Sequence, residues 1–465
     1  NRCVLCGRCV RACSELRGVG VLQYNKKDME TYVGTLHDRL LKDADCRFCG
    51  ACAEVCPTGT IRDMLHYTPV EKKDSLIPCQ AACPAHADVP RYVRFVKEGK
   101  FEEATAVIHE KIPFPECLGH VCAHACEGKC RRGEVNEAVS IRNIKRYAAE
   151  HANNQMWKAN SKHLPKTGKK VCVVGGGPAG MTAAYYLAKQ GHETVLKEAM
   201  PKLGGQLQYG IPSYRLPREV VDKEAGYLQD AGVRVETGCR VEKPGELLKE
   251  FDAVLMAIGT HKGVLLPMEG SQLPGVLLNA DFLQKVAMGE DTRMGQRVIV
   301  LGGGNVAFDC ARSARRLGAK EVHMACLEDR EHMPADEEEI LQAQEEGIRI
   351  HPGCTFERIC GGEQVTGVEF CKVKSFSFDE NRRAVIEKEE GSNHIIEGDT
   401  VIFAVGQRPD LTPEAGLELG RGNSIVVKDG TLKTSQEGIF ACGDAVYGTK
   451  TVIQAVASGR EAAAE

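Results

Sequence analysis

The apolar residues of this chain fall into two regimes. After the linker Pro165-Lys166-Thr167-Gly168 they come in short continuous runs of strand type, each followed by a stretch of helical character. Residues 171–174 form one run, 181–190 read as a helix and 193–197 as the next strand. The order repeats with a strand at 297–301, a helix at 308–317 and a strand at 322–327. A further buried strand ends at Ala257-Ile258-Gly259-Thr260, and 451–460 reads as a helix. Before the linker the pattern is helical. Asp88-Val89-Pro90 is a helix start, and 91–97 and 101–110 are amphipathic.

The two strand-to-helix junctions are glycine-rich. The first contains Gly175, Gly177 and Gly180, with Pro178 and Ala179 between them. The first glycine permits a tight turn, the second lets a pyrophosphate approach the backbone, and the third lets helix and strand pack closely. Pro178 fits the start of a helix, where a missing N–H costs nothing. Glu198 follows the second strand, where a ribose-binding acid is expected. The second junction carries Gly302, Gly304, Asn305 and Ala307, the G-x-G-x-x-A variant. Free N–H groups and the helix dipole would hold phosphates at both. Two such units in one chain imply a bound flavin dinucleotide and an exchangeable nicotinamide nucleotide.

Composition adds one decisive feature. Of 465 residues, 22 are cysteine, and most of those before residue 131 lie in short-spaced runs. Cys3, Cys6, Cys9 and Cys13 precede Cys46, Cys49, Cys52 and Cys56 at the repeated bacterial two-cluster spacing. Three cysteines of each run hold one [4Fe–4S] cluster and the fourth crosses to the other. Cys56 therefore joins Cys3, Cys6 and Cys9, while Cys13 joins Cys46, Cys49 and Cys52. Zinc fits eight ligands at this spacing poorly, and disulfide scaffolds are usually small secreted chains. A reducing, cytoplasmic setting is the expectation. The scattered later cysteines read as small buried hydrophobes. A net charge of −4 gives no case for nucleic acid or an anionic membrane, and no apolar run is long enough to span one. The chain starts at Asn1 with a ligand run already under way and stops within a helical pattern, as a segment of a longer polypeptide would.

The first cysteine run, Arg2-Cys3-Val4-Leu5-Cys6-Gly7-Arg8-Cys9, resembles the ferredoxin-like region of iron-only hydrogenases and of the large iron–sulfur subunit of NADH:quinone oxidoreductase. The block Cys79, Cys83, Cys117, Cys122, Cys126 and Cys130, with the later motifs, resembles the glutamate synthase small-subunit family, which includes the N-terminal half of dihydropyrimidine dehydrogenase. That family implies two clusters in this block. Here the usual Cys-x2-Cys pair ahead of Cys79 is replaced by Lys72-Lys73-Asp74-Ser75, and Lys145 stands where relatives carry a Glu or Gln ligand. One cluster is therefore expected, on Cys83, Cys122 and Cys126, with Cys117 favoured as fourth ligand over Cys79 or Cys130. His120 and His124 are read as neighbours of the cluster or surface residues, not ligands.

The resemblance also implies that Gly205, Gln206, Gly210 and Arg215 form a flavin-domain loop and that Gly259 marks a chain crossing between domains. It further implies that Gly443 and Asp444 meet FAD ahead of a helix beginning at Thr451 and Val452. NADP-using relatives carry two arginines after the strand at 322–327; here Glu328 follows Leu327. An acid there hydrogen-bonds a free ribose hydroxyl and repels a phosphate, which favours NAD(H) over NADP(H). Lys320 and Arg330 are the nearby cations that would serve a phosphate.

The expected architecture is multidomain, α+β and α/β. A two-cluster ferredoxin fold occupies 1–66 and a helical iron–sulfur domain 67–165. A Rossmann-like FAD domain spans 166–279 and 402–465, with a nicotinamide domain inserted at 280–401. The function implied is an electron-transfer flavoprotein subunit linking NAD(H), FAD and clusters. Its partner would be a hydrogenase, a formate or carbon monoxide dehydrogenase, a bifurcating flavin subunit or ferredoxin. No catalytic side chain is required. A wiring subunit with an idle nicotinamide site and a glutamate synthase small subunit are the alternatives.

Overall fold

The computed structural model describes residues 2–27, 30–62, 77–160, 163–379 and 384–465. The 66/67 boundary and residues 72–75 lie outside them. The chain forms two compact units. The first takes in residues 1–166, 188–191 and 451–457, and the second the remainder.

In the first unit an antiparallel hairpin, β1 (Leu22–Lys27) with β2 (Glu30–Thr35), lies between the two cysteine runs. Each run opens with the same backbone device. Leu5 and Phe48 hold φ of 52°, and Gly7 and Gly50 hold 69° and 73°. Left-handed backbone is unfavourable for Leu and Phe. Its recurrence at both Cys-x2-Cys turns curls each run around a point. The helical part is built from α1 (Val89–Lys97), α2 (Phe101–His109), α3 (Pro115–Val121) and α4 (Ile141–His151). Asp88 caps α1 by accepting from Arg91 N at 3.4 Å, as the Asp-Val-Pro sequence predicts. Tyr92, Ala104, Ile108, Leu118 and Ala148 fill the core, and Cys122 and Cys126 belong to it.

The second unit holds two five-stranded parallel sheets. The first has the order Ile439–Ala441 (β18), Ala253–Met256 (β6), Lys170–Val174 (β3), Glu193–Lys197 (β4), Arg234–Glu236 (β5). The second runs Arg349–His351 (β11), Glu321–Ala325 (β10), Arg297–Leu301 (β9), Thr400–Phe403 (β16), Val276–Leu278 (β8). Four of five residues are buried in both β3 and β9, as strands covered on two faces require. Helix α5 (Pro178–Lys189) follows β3, α6 (Asn305–Arg316) follows β9, and α7 (Glu337–Glu345) precedes β11. Helix α8 runs Val452–Ala464, four residues beyond the expected end.

The strand pairing runs across the expected domain edges at 279/280 and 401/402. β8 lies outside the expected nicotinamide segment and β16 straddles its end, yet β8 pairs with β16 (Val401↔Val276) and β16 with β9. The pairing is long-range and leaves no local signal. The chain crosses instead through an antiparallel ribbon, Lys262–Gly263 with Gln407–Arg408, three residues past Gly259.

Candidate cofactor-binding sites

The two cysteine runs close around two cavities. One, of about 160 Å³, is lined by Cys3, Cys6, Cys9 and Cys56. The other, also about 160 Å³, is lined by Cys13, Cys46, Cys49 and Cys52. These are the crossed sets that the spacing implies. Among the described residues no three His, Cys, Asp or Glu lie close enough to hold a single ion. Four cysteines lining each cavity suit an iron–sulfur cluster. Backbone N–H groups point at the sulfurs: Val21 N at 3.3 Å from Cys13 Sγ, Phe48 N at 3.4 Å from Cys46 Sγ, Ile61 N at 3.5 Å from Cys56 Sγ. The Ile61 contact draws the Cys56 thiol down to about 7, and burial pushes Cys52 up to about 12.

In the helical part, burial pushes Cys126 up to about 12, with Cys122 adding to the rise and Lys145 opposing it. Cys83 acts on Cys126 as well. Cys79 is also pushed to about 12, by burial and then by Cys130. Cys122 and Cys126 belong to one buried core with Cys79 and Cys83 both packed against it; the buried Lys145 acts on Cys126, and Cys130 acts on Cys79. Cys117 is buried on α3, which packs so closely on α4 that a Cβ at Gly119 would stand 2.7 Å from Arg146 Cα. His120 and His124 face Glu150 and Glu127 at 3.8 and 3.7 Å.

The first glycine turn is tightly built. Gly175 has φ +108°, and a Cβ there would meet Ala257 O at 2.5 Å. Gly180 has no room either, an added Cβ meeting Gly175 O at 1.9 Å, while one on Gly210 would first meet the movable end of the Gln206 side chain. Glu198 accepts from Gly176 N at 2.6 Å and from Met200 N at 2.7 Å, which fixes its carboxylate over the turn. Gly204 N donates to Gly176 O at 2.8 Å, and Gln206 Nε2 to Thr260 O at 2.9 Å. Gly259 keeps φ +64° at the crossing, and a Cβ at Gly443 would meet Ala179 Cβ at 2.8 Å. Burial pushes the Asp444 carboxyl up to about 7, against a hydrogen bond from Lys450 N. Thr451 caps α8 in a box with Gln454, its N–H and hydroxyl both donating to Gln454 Oε1. A cavity of about 260 Å³ beside Gly175 and Glu198 is also lined by Arg240, His261 and Asp410. No sequence motif marks these three, which arrive from separate loops. Glycine backbone and a fixed carboxylate beside this cavity are the residue types that fit the adenosine end of a flavin dinucleotide.

Arg215, expected among the cofactor-binding residues, is engaged by two carboxylates. Its guanidinium is taken by Asp309 and Glu339 at 2.7 and 2.8 Å.

The second turn repeats the first. Gly302 has φ +139°, and a Cβ there would meet Ala404 O at 2.4 Å. A Cβ on Gly303 would lie 3.3 Å from Glu328 Oε2, much as one on Gly176 would lie 2.9 Å from Glu198 Oε2. Gly304 has open space before it, Ala307 is fully buried, and Asn305 and Asp336 bond reciprocally. Arg330 is held by Glu337 at 2.6 and 3.0 Å.

The model of the pyridine nucleotide-disulphide oxidoreductases matches residues 169–459. The chain belongs to this family. Two further models match this oxidoreductase ahead of that segment: the 4Fe-4S dicluster domain over 2–60, and dihydropyrimidine dehydrogenase domain II, a 4Fe-4S cluster domain, over 73–157. Its sequence is 37% identical over 423 residues to the NADPH-Fe(3+) oxidoreductase subunit beta of Geobacter sulfurreducens, covering 83% of this chain and 62% of that one. It is 33% identical to the glutamate synthase [NADPH] small chain of Escherichia coli, covering 83% and 87%. The chain thus spans under two thirds of the Geobacter relative and most of the glutamate synthase chain. FprA of Mycobacterium tuberculosis shares the fold, at a TM-score of 0.55 and 18% identity over 65% of this chain and 84% of that one. The oxidoreductase is an iron–sulfur flavoprotein of the glutamate synthase small-subunit type carrying an added dicluster domain. No described helix is long and apolar enough to cross a membrane.

Proposed function

We propose that this chain is the NAD(H)-linked flavoprotein module of a larger redox complex, passing electrons from NADH to a partner subunit or ferredoxin. The observation that carries the reading is the adjacency of its thiol groups. Arg132 of the helical part donates to Cys46 O at 3.4 Å, Arg131 lines the second ferredoxin cavity, and the charge of Cys49 acts on Cys79. Cys3, Cys6, Cys9 and Cys56 line the other cavity, which has no residue of the helical part in its lining. A chain of sites from helical domain to that cavity suits delivery to a partner.

FAD, when bound, supplies the exchange between two-electron and one-electron transfer. The protein's residues do the rest. The N-terminus of α5 and the glycine backbone hold phosphate, and Glu198 holds a ribose. At the second turn Glu328 occupies the corresponding place, which supports NAD(H), while Arg330 is engaged by Glu337. Lys145 lies beside Cys126, and its positive charge would raise the potential of a cluster there. Cys117 is assigned as the fourth ligand of that cluster, with Cys79 and Cys130 as the substitutes.

The test is NADH-driven dye reduction by the anaerobically prepared chain, with cofactor analysis alongside. One FAD and about three [4Fe–4S] clusters, hence roughly twelve irons, are expected. Protein holding zinc without acid-labile sulfide would end the reading. Clusters and flavin without NADH or NADPH oxidation would favour the idle wiring subunit.

A further inference from the structure

The loop that leaves the flavin turn ends in a buried ion network. Arg215 Nη1 donates to both oxygens of Asp309, at 2.7 and 2.8 Å, and its Nε to Glu339 Oε1 at 2.8 Å. The other oxygen of Glu339 takes Arg312 Nη1 at 2.6 Å. Arg312 and Arg316 share Glu346 at 2.9 and 2.7 Å. The Tyr214 ring lies under both arginines, 4.7 and 4.0 Å from their guanidinium carbons. Three cations and three anions are thereby matched. Asp309 is 4% exposed, Arg312 3% and Glu339 7%.

A buried network of this kind is a poor source of stability, because desolvation offsets most of the attraction. Its geometry is demanding, and its location gives the geometry a use. At one end the loop rests on the first glycine turn: a Cβ on Gly205 would stand 2.7 Å from Gly177 Cα. Arg218 braces it from within, donating to Leu207 O at 2.6 Å and Ile211 O at 2.8 Å. At the other end Arg215 grips Asp309, one turn into α6, the helix that starts at the second glycine turn. One strap thus ties the two nucleotide turns together.

We propose that Arg215, held by Asp309 and Glu339, is a positioning residue that sets the nicotinamide domain against the flavin domain. It would fix the alignment across which hydride leaves the dihydronicotinamide, oxidising NADH and reducing FAD. The inference rests on the NAD(H)-to-FAD reading above.

The experiment compares wild type, Arg215→Met, Arg215→Lys and the double variant Arg215→Met/Asp309→Leu, each as the full chain with FAD. In Arg215→Met, kcat for NADH-driven ferricyanide reduction should fall about 10- to 100-fold, the cost of small misplacement at a reacting centre. KM for NADH should move less than about threefold, since uniform binding is untouched. Lysine should restore part of kcat. The double variant leaves no unpaired charge on the Arg215–Asp309 contact and should keep FAD content while kcat stays low. A raised KM with kcat retained would make Arg215 a nucleotide ligand and overturn the proposal. So would parallel loss of kcat and FAD in the single and double variants. Amide exchange over 206–217 and α6, measured without nucleotide, separates the two readings. Arg215→Met should speed it, and unchanged exchange overturns the strap. Wild type that oxidises neither NADH nor NADPH overturns the functional reading instead.

Discussion

Cys126→Ala should remove one [4Fe–4S] cluster, about four irons of roughly twelve, leave FAD bound, and stop electron flow from NADH to the ferredoxin-like cysteines. Cys126 is buried in the helical core beside Cys122, Cys83 and Lys145, and its thiol is pushed to about 12 without a metal. Its loss leaves the three remaining sulfurs short of a ligand. FAD should stay bound because its glycine turn and Glu198 lie outside the core that holds Cys126. The measurements are iron and sulfide content, flavin absorbance, and NADH reduction of ferricyanide against reduction of the clusters followed by electron paramagnetic resonance. Ferricyanide takes electrons from flavin directly, so that activity should survive while cluster reduction falls at least tenfold. Cys117→Ala should reproduce the same loss. If it keeps all the iron, the fourth ligand is Cys79 or Cys130. If Cys126→Ala itself keeps all the iron, no cluster sits on this core.

What could be read from the sequence was whatever chemistry encodes in short spacing. The crossed sets Cys3, Cys6, Cys9, Cys56 and Cys13, Cys46, Cys49, Cys52 line separate cavities because a cluster needs three ligands on one turn. Gly175 and Gly302 were legible because only glycine holds φ of +108° and +139° against a carbonyl at 2.5 and 2.4 Å. Long-range choices were illegible. Nothing within Val276–Leu278 says that it pairs with a strand more than a hundred residues on. Arg215 illustrates the same limit. Its sequence context belongs to the flavin loop, yet its partners Asp309 and Glu339 sit on α6 and α7. Arg240, His261 and Asp410 come from three loops and share a cavity only after folding.

Glu328→Arg should reverse the nucleotide preference. In the wild type the Glu328 carboxylate stands by Gly303 as the Glu198 carboxylate stands by Gly176. At such a position an acid takes the ribose hydroxyls as acceptor and repels a 2′-phosphate. The nearest cation along the chain, Arg330, is bound on both guanidinium nitrogens by Glu337 and offers a phosphate little. An arginine at 328 exchanges repulsion for a charge-assisted pair and gives up the ribose bond. Because the side chain is partly exposed, solvent screens part of the effect. The expected swing is roughly 3 kcal/mol, or about a hundredfold in the ratio of kcat/KM for NADH to that for NADPH. Most of it should appear in KM, since the 2′ position is remote from the reacting carbon. The Geobacter and Escherichia relatives are named for NADPH, which makes the wild-type measurement discriminating by itself. A wild type preferring NADPH by tenfold or more would show that Glu328 does not face the ribose. A variant losing both nucleotides equally would show that the residue holds the β10 turn, where Gly353 N donates to its carbonyl at 2.8 Å, and not the cofactor.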